Sequence, residues 1–559
     1  MKVLGDNQSQ RKVIRQWLLL AVLLLAGVLV LLWPVAQPPV PPPDEIESLP
    51  PLTGGRTVQV WDVPPVEMPS HALETPIRPR RPEAARPAAP AEPPAANVVP
   101  GERILTFFNA AERDRFITEA TAAGLEIADR MDFANAVRVR ETTAGQLDAV
   151  LRRLPAPTGN YDNHRVYVPP IEDEVEGEAP DEGPYLGVGE QVLPLMGLYE
   201  WNPQMGAGAV IALLDGHIDR SALRASARLR MMEPFASAAL DDNAALLHGT
   251  AVASLLAGMA DSESGVAPGA EFLSYPVVGA DGTGDAFTLA KALVDAVEQG
   301  AQIINLSIGS RESSPLLQQA VEHALRSGVL IVAAAGNDGR GVLHFPAAYD
   351  GVLAVGASDA SGRRLPFSNT GANLALLAPG LGLAAAAPAG ESTGFSGTSA
   401  SAPLVTGALA LLVSQGRLSS ADAIRRLRET ALGATGQERG LIDAGRALNM
   451  PAGVDVVVMI PYLRRMSDGR LVVVSPLANR GAATAHDVLV TMQFEDNPPM
   501  TTVLRLTPGA VARPEWVFPG IPMPPPGWML DVHAEARGVP DVDERNNRFR
   551  GRLRLPDSM

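Results

Sequence analysis

The first hydrophobic block of the chain runs from Trp17 to Trp33, uncharged throughout, with Lys2, Arg11, Lys12 and Arg15 ahead of it. As a helix rising about 1.5 Å per residue it would span roughly 25 Å, the short end of what crosses a hydrocarbon core of about 30 Å. Signal-peptide cores are shorter, about 7 to 15 residues, and the one small-residue exit, Val35-Ala36-Gln37, follows a proline. The pattern predicts an uncleaved anchor in the cytoplasmic (inner) membrane over 17–33. Residues 1–16 would be its basic cytoplasmic flank, and everything after Pro34 would lie on the extracytoplasmic side, in the periplasm or cell envelope. Cleavage near Gln37 would instead give a secreted protein. Residues 34–100, with runs such as Pro41-Pro42-Pro43, read as an extended Pro-rich linker with no packed core.

Over 101–170 short elements alternate: Arg103–Phe108 as strand, Ala110–Ala123 as amphipathic helix, Asn135–Arg140 as a half-buried strand, Thr143–Leu154 as a helix capped by Thr143, and Arg165–Val168 as a last strand. Two such rounds predict a small α+β, ferredoxin-like unit. The acidic stretch 171–183 predicts an exposed loop. From 184 to 448, continuous apolar runs such as Ala209–Leu214, Gln302–Leu306 and Val329–Ala334 are separated by helical spacing. They predict an α/β domain whose parallel sheet is covered by helices on both faces. From 452 to 557 the pattern turns all-β, with strands at Asp455–Ile460, Arg470–Val474, Asp487–Phe494, Thr502–Leu506 and Trp528–Ala534, as expected of an immunoglobulin-like sandwich.

Charge and composition narrow the chemistry. Lys and Arg number 46 against 62 Asp and Glu, a formal charge of −16, which repels phosphate backbones and argues against nucleic acid as a partner. The absence of cysteine removes thiol nucleophiles, thiolate zinc sites and disulfides. A serine becomes an effective nucleophile only beside a base that is itself oriented by a carboxylate. In a parallel α/β sheet, residues distant in sequence meet at the carboxyl ends of strands. Asp215 follows the strand Ala209–Leu214. His248 precedes Gly249-Thr250 and the apolar helical run Ala251–Ala257, which would place it at a helix N-terminus. Ser399 stands in Gly397-Thr398-Ser399-Ala400-Ser401-Ala402-Pro403, at the opening of another helix. Taken singly these are commonplace: an Asp-Gly turn, an exposed histidine, a helix cap.

Together with Ala335-Gly336-Asn337, and in this order, the motifs resemble the subtilisin (subtilase, peptidase S8) family. Supporting strings run over about 260 residues and include Ile304-Asn305-Leu306-Ser307-Ile308-Gly309, Phe345-Pro346-Ala347 and Ala378-Pro379-Gly380. The resemblance implies a serine endopeptidase acting on a peptide or protein substrate, with Asp215, His248 and Ser399 as triad and Asn337 as oxyanion donor. It also implies that 101–170 is an inhibitor-type prodomain, cut away after assisting folding and blocking the cleft, and that the C-terminal sandwich is of the CARDB type. Calcium is raised as a cofactor by the resemblance alone; no carboxylate-rich loop with liganding spacing stands out in 184–448.

Alignment with the family places Ser307, Ile308 and Gly309 on one wall of the primary specificity pocket and Ala334, Ala335 and Gly336 on the other. His344 falls at its base, where many relatives have glycine, or else it faces solvent on a rearranged loop. Two departures stand out. Gly216-His217 follows the aspartate in place of Thr or Ser and then Gly, and Ala251-Val252-Ala253-Ser254 replaces His-Val-Ala-Gly. The altered turn keeps open a second reading, an inactive subtilisin-fold protein that only binds peptides.

Overall fold

The computed structural model describes residues 97–143, 145–154, 156–168, 185–232, 244–260, 262–414, 418–433, 439–466, 470–495, 497–517 and 529–552. The expected cytoplasmic flank, the anchor at 17–33, the acidic loop at 171–183 and all but the end of the 34–100 linker lie outside them. Among the described residues no helix is long and apolar enough to cross a membrane. The linker's last residues are reassigned, because Val98 already opens a strand that pairs with its neighbours.

The first domain runs β1 (Val98–Thr106), α1 (Ala110–Ala122), β2 (Glu126–Met131), β3 (Ala136–Arg140), α2 (Gln146–Leu151) and β4 (Gly159–Tyr167). Its strands lie in the order β2-β3-β1-β4, all antiparallel, the split β-α-β connectivity. Asn109 caps α1 by accepting from Glu112 N at 2.9 Å, and Phe116 and Ala120 bury against Leu105, Phe107, Val137 and Val139. Strand β2 was not expected. It is an outer strand whose residues before Met131 are all at least partly exposed, so it carries no clear alternation. Helix α2 is shorter than expected and Thr143 does not cap it: the preceding Gly145 is left-handed at φ +79°, and a carboxylate oxygen of Glu141 accepts from Leu147 N at 2.7 Å.

In the second domain, β5 (Val210–Asp215), β6 (Arg228–Met231), β7 (Glu271–Pro276), β9 (Ile303–Leu306), β10 (Leu330–Ala334), β11 (Leu353–Ser358) and β12 (Leu374–Pro379) form a parallel sheet in the order β12-β11-β10-β9-β5-β7-β6. Strand residues alternate between two cores, which accounts for the unbroken apolar runs. Ile211, Leu213 and Val332 join α3 (Ala244–Ala257) and α6 (Thr398–Ser414). Ala212, Leu214 and Ala333 join α4 (Ala286–Glu298) and α5 (Pro315–Arg326) on the other face. Strand order reverses at β5, the switch point where sheets of this kind place their ligands. A short strand, β8 (Thr283–Asp285), leaves this sheet and pairs instead with β4 of the first domain. The hairpin β13 (Leu383–Ala386) and β14 (Ser392–Phe395) precedes α6; α7 (Ser420–Thr430) and α8 (Ala444–Leu448) complete the domain.

The C-terminal region is all-β. It comprises β15 (Val456–Val458), β16 (Tyr462–Arg465), β17 (Leu471–Val474), β18 (Leu477–Asn479), β19 (Ala485–Phe494), β20 (Met500–Leu506), β21 (Val511–Ala512), β22 (Glu515–Val517), β23 (Met529–Ala536) and β24 (Arg548–Arg552). Among the described residues the hydrogen bonds divide it into three sheets, β15-β18-β21, β16-β17-β22 and β20-β19-β23-β24, where a sandwich of two sheets was expected. Val488, Val490, Met492 and Phe494 of β19 alternate inward, as a half-buried strand requires.

Candidate active site

Asp215 is the last residue of β5, at the carboxyl edge beside the switch point. Its carboxylate is 1% exposed; Oδ1 accepts from Gly216 N at 2.7 Å and lies 2.7 Å from Nδ1 of His248. His248, equally buried, does not stand at a helix N-terminus as expected. Helix α3 begins at Ala244, because Ala244, Ala245 and Leu246 are good helix formers and two of them bury, so the imidazole projects from its second turn. The Phe395 ring meets it edge-on at 5.2 Å and 89°. With Nδ1 against the carboxylate, Nε2 is buried and has no hydrogen-bond partner among the described residues.

The altered turn has a steric cause. A Cβ on Gly216 would lie 2.0 Å from the Ala245 carbonyl oxygen, so α3 presses on the turn too closely for the Thr or Ser expected there. His217 is half-buried with both ring nitrogens unpaired among the described residues, and burial pushes its pKa below the ordinary histidine value. The turn thus differs from the expected sequence while the Asp215–His248 bond stays in place.

Ser399 is the second residue of α6. Pro403, the sixth residue of the helix, has no N–H and cannot complete the helical bond to the Ser399 carbonyl. Ser307 Oγ donates to that carbonyl instead, at 2.9 Å. The exchange is reciprocal, for Ser399 Oγ donates to the Ser307 carbonyl at 2.9 Å. The nucleophile candidate is therefore turned onto Ser307 and makes no hydrogen bond to His248. Catalytic hydrogen bonds are often open in structures without substrate.

Asn337 follows Gly336, whose φ of +103° suits glycine. Its Oδ1 accepts from Thr398 N at 2.9 Å and from Thr398 Oγ1 at 2.8 Å. A backbone N–H only donates, so the amide oxygen must face Thr398, which leaves the NH2 group as the free, donating end beside Gly397. Sequence reasoning missed this role of Thr398 and also the buried relay behind Ser307, in which Thr406 Oγ1 donates to Asn305 Oδ1 at 2.8 Å and Asn305 Nδ2 to Ser307 Oγ at 3.1 Å. The available signal was an asparagine inside an otherwise apolar strand, since a buried amide needs partners.

Of the residues expected to line a specificity pocket, several are occupied otherwise. Ile308, Ala334 and Ala335 bury their side chains in the two cores, and the Ser307 hydroxyl is engaged as described. His344 packs close to the backbone of both Gly309 and Gly336. A Cβ on Gly309 would stand 3.1 Å from His344 Cβ, and one on Gly336 2.8 Å from His344 Cγ. His344 is 9% exposed, which removes the solvent-facing alternative. Its Nε2 lies 2.7 Å from Asp338 Oδ2, and Asp338 takes two bonds from Arg311 at 3.0 and 2.8 Å. Burial opposes the Asp338 charge, but its bonds to Arg311 and His344 outweigh this and hold the carboxyl below its ordinary pKa. No cluster of three or more His, Asp or Glu suited to a metal occurs among the described residues.

The family model described as the subtilase family matches residues 206–446. Alkaline elastase YaB of Bacillus sp. (strain YaB) is 39% identical over 251 residues, 43% of this chain, which spans 65% of that relative's length. Subtilisin Savinase of Lederbergia lenta is 38% identical over 251 residues, again 43% of this chain but 91% of the relative. Among solved structures, the patellamide maturation protease PatA is 33% identical with a TM-score of 0.39, over 43% of this chain and 96% of that one. Identity at this level across nearly all of Savinase, joined to the site geometry above, shows that the chain belongs to the subtilase family.

Proposed function

We propose that this protein is a serine endopeptidase in which Ser399 is the nucleophile, His248 the base and then the acid, Asp215 the group that orients it, and Asn337 an oxyanion donor. The observation that carries this reading is the buried 2.7 Å contact between His248 Nδ1 and Asp215 Oδ1, with Nε2 left unpaired among the described residues. A carboxylate on Nδ1 fixes the tautomer that leaves Nε2 able to take a proton, and it stabilises the imidazolium that results. Ser399 Oγ adds to the substrate carbonyl as its proton passes to Nε2. The oxyanion is met by the Asn337 NH2 group and the Ser399 N–H at the start of α6. His248 then protonates the leaving amine, and water resolves the acyl-enzyme by the same steps in reverse. The expected test is covalent labelling by a fluorophosphonate probe that is lost in Ser399→Ala. A wild-type ectodomain that never labels would return the chain to the peptide-binding reading.

His344 filling the space between Gly309 and Gly336 supports a primary pocket that takes small side chains such as Ala. Residues 101–170 and the C-terminal region are read as an inhibitory prodomain and a CARDB-like module on their position and strand pattern. Residues 17–33 are read as an anchor that places the catalytic domain outside the cytoplasm. This last reading rests on the uncharged run and its basic flank, and retention of the protein on membranes through carbonate washing tests it.

A further inference from the structure

The outer strand β12 of the parallel sheet borders the C-terminal region, and a cleft of about 570 Å³ opens between them. That volume falls within the range of about 300 to 1,000 Å³ typical of sites for small ligands. The floor is aliphatic and is drawn from both sides. Leu374, Leu377 and Leu441 come from the second domain, Met459 and Val511 from the C-terminal region, and all belong to one buried cluster or pack against it. The two sides are tied by a backbone bond from Gly433 N to the Gly509 carbonyl at 2.9 Å, so the cleft is built into the junction.

Its charge is one-sided. Arg363, Arg364, Arg439 and Arg513 line the cleft, and no Asp or Glu does so among the described residues. Arg363 is already neutralised: it is buried, its Nη2 lies 2.7 Å from Asp359 Oδ2, and its guanidinium stands over the Tyr462 ring at 4.0 Å. The other three have no carboxylate partner among the described residues. Arg364 Nη1 donates to the Leu365 and Ser368 carbonyls at 3.2 and 3.0 Å, and Arg439 Nη2 to the Ala372 carbonyl at 2.7 Å. These bonds position two guanidinium groups without cancelling their charge. Arg513, between β21 and β22, adds a third from the C-terminal side. Like charges around one cleft repel, and apolar walls concentrate the field they share. In a chain whose formal charge is −16, this is a local reversal of sign.

We propose that this cleft is a binding site for a small aliphatic anion, a carboxylate or phosphate group on a hydrocarbon body of several carbons. The planar guanidinium fork meets either head group with paired, charge-assisted hydrogen bonds. The leucine, methionine and valine floor takes the hydrocarbon part out of water. A bare anion would leave that floor wet, and an uncharged hydrocarbon would leave the three cations without a counter-charge. The inference does not rest on the peptidase reading, since none of Asp215, His248, Asn337 and Ser399 lines the cleft.

The test is calorimetric titration of the full-length protein with octanoate, octyl phosphate, inorganic phosphate and 1-octanol. It is repeated on the double variant Arg364→Gln, Arg513→Gln and on Arg513→Glu alone; Arg513 is exposed, so the single change keeps the comparison free of a folding defect. The expected result is saturable binding of at least one of the two octyl anions, weakening as salt is raised. It should be at least about tenfold tighter than binding of inorganic phosphate or octanol, and at least about tenfold weaker in both variants, as the loss of charge-assisted hydrogen bonds requires. A preference between octanoate and octyl phosphate would identify the head group within the proposed class. Inorganic phosphate or octanol binding as tightly as the octyl anions, an affinity unchanged in both variants, or no saturable binding would each overturn the proposal. None of these outcomes would alter the labelling of Ser399 on which the peptidase reading is judged.

Discussion

At Ser399 two hydrogen bonds to Ser307 replace one helical bond that Pro403 makes unavailable, so the position of the proposed nucleophile depends on a serine 92 residues away. Ser399→Ala should leave thermal unfolding nearly unchanged while peptide hydrolysis falls on the order of a million-fold, a magnitude that comes from triad knock-outs in subtilisin itself. Active-site titration alongside a melting curve checks both halves. At the pocket, His344→Gly should open the space between Gly309 and Gly336 and shift preference from Ala towards Phe or Leu. A methylene in such pockets is worth about 1 to 3 kcal/mol, so the ratio of kcat/KM values should move by more than tenfold. An unmoved ratio across a peptide panel would show that the ring lies outside the substrate's reach. The candidate triad was legible because its motifs are local strings. The clamp of Asp338 and Arg311 on His344 was not, since it joins a loop after β9 to a loop after β10 and leaves no periodic trace.

Among the elements, strands were read well wherever both faces bury. Ala209–Leu214 and Val329–Ala334 moved by one residue at the start, and β5 gained Asp215 at its end. The misreadings have two causes: β2 and α2 are partly exposed and lack a clear period, and the opening of α3 was placed at His248 although the helix begins at Ala244. The opening of α6 shows what an element end contributes to the site. Thr398 gives both its N–H and its hydroxyl to Asn337 Oδ1, while its Oγ1 accepts from Gly336 N at 3.1 Å. Thr398→Val would remove the hydroxyl and leave the backbone bond, so the amide should be held less firmly. Turnover should drop by less than the about 100- to 1000-fold that loss of the whole donor costs, a figure measured in subtilisin. KM should stay near the wild-type value, because the lost support acts on the oxyanion and not on the ground state. A raised KM with unchanged kcat would contradict this assignment.

For the molecule as a whole, the sequence suggested domains strung in series, but the structure joins the second and third through a common interior. Val456, Leu463, Val473 and Leu477 of the C-terminal region share one buried cluster with Leu404, Leu409 and Leu427 of the catalytic domain. At the seam Arg480 Nε lies 2.6 Å from Asp443 Oδ2, with the carboxylate fully buried and the guanidinium nearly so. Arg446 Nε donates to the Arg480 carbonyl at 2.7 Å, and Arg446 Nη1 to the Thr430 carbonyl at 2.9 Å. Such a pair forms only when two chain segments meet, which is why separate strand and helix patterns could not reveal it. Removing one partner strands the other charge away from water, at about 3 to 5 kcal/mol. Asp443→Asn keeps the oxygen that caps α8 through Arg446 N at 2.9 Å but loses the charge. It should therefore lower unfolding free energy in urea by about that amount, with Asp443→Ala costing more through the lost cap. A detachable module would behave otherwise: truncation after Leu448 would then leave probe labelling of Ser399 unchanged. The shared core requires instead that the truncated chain lose labelling together with its cooperative unfolding transition, and a truncated protein that labels at the full-length rate would show the C-terminal region to be an independent appendage.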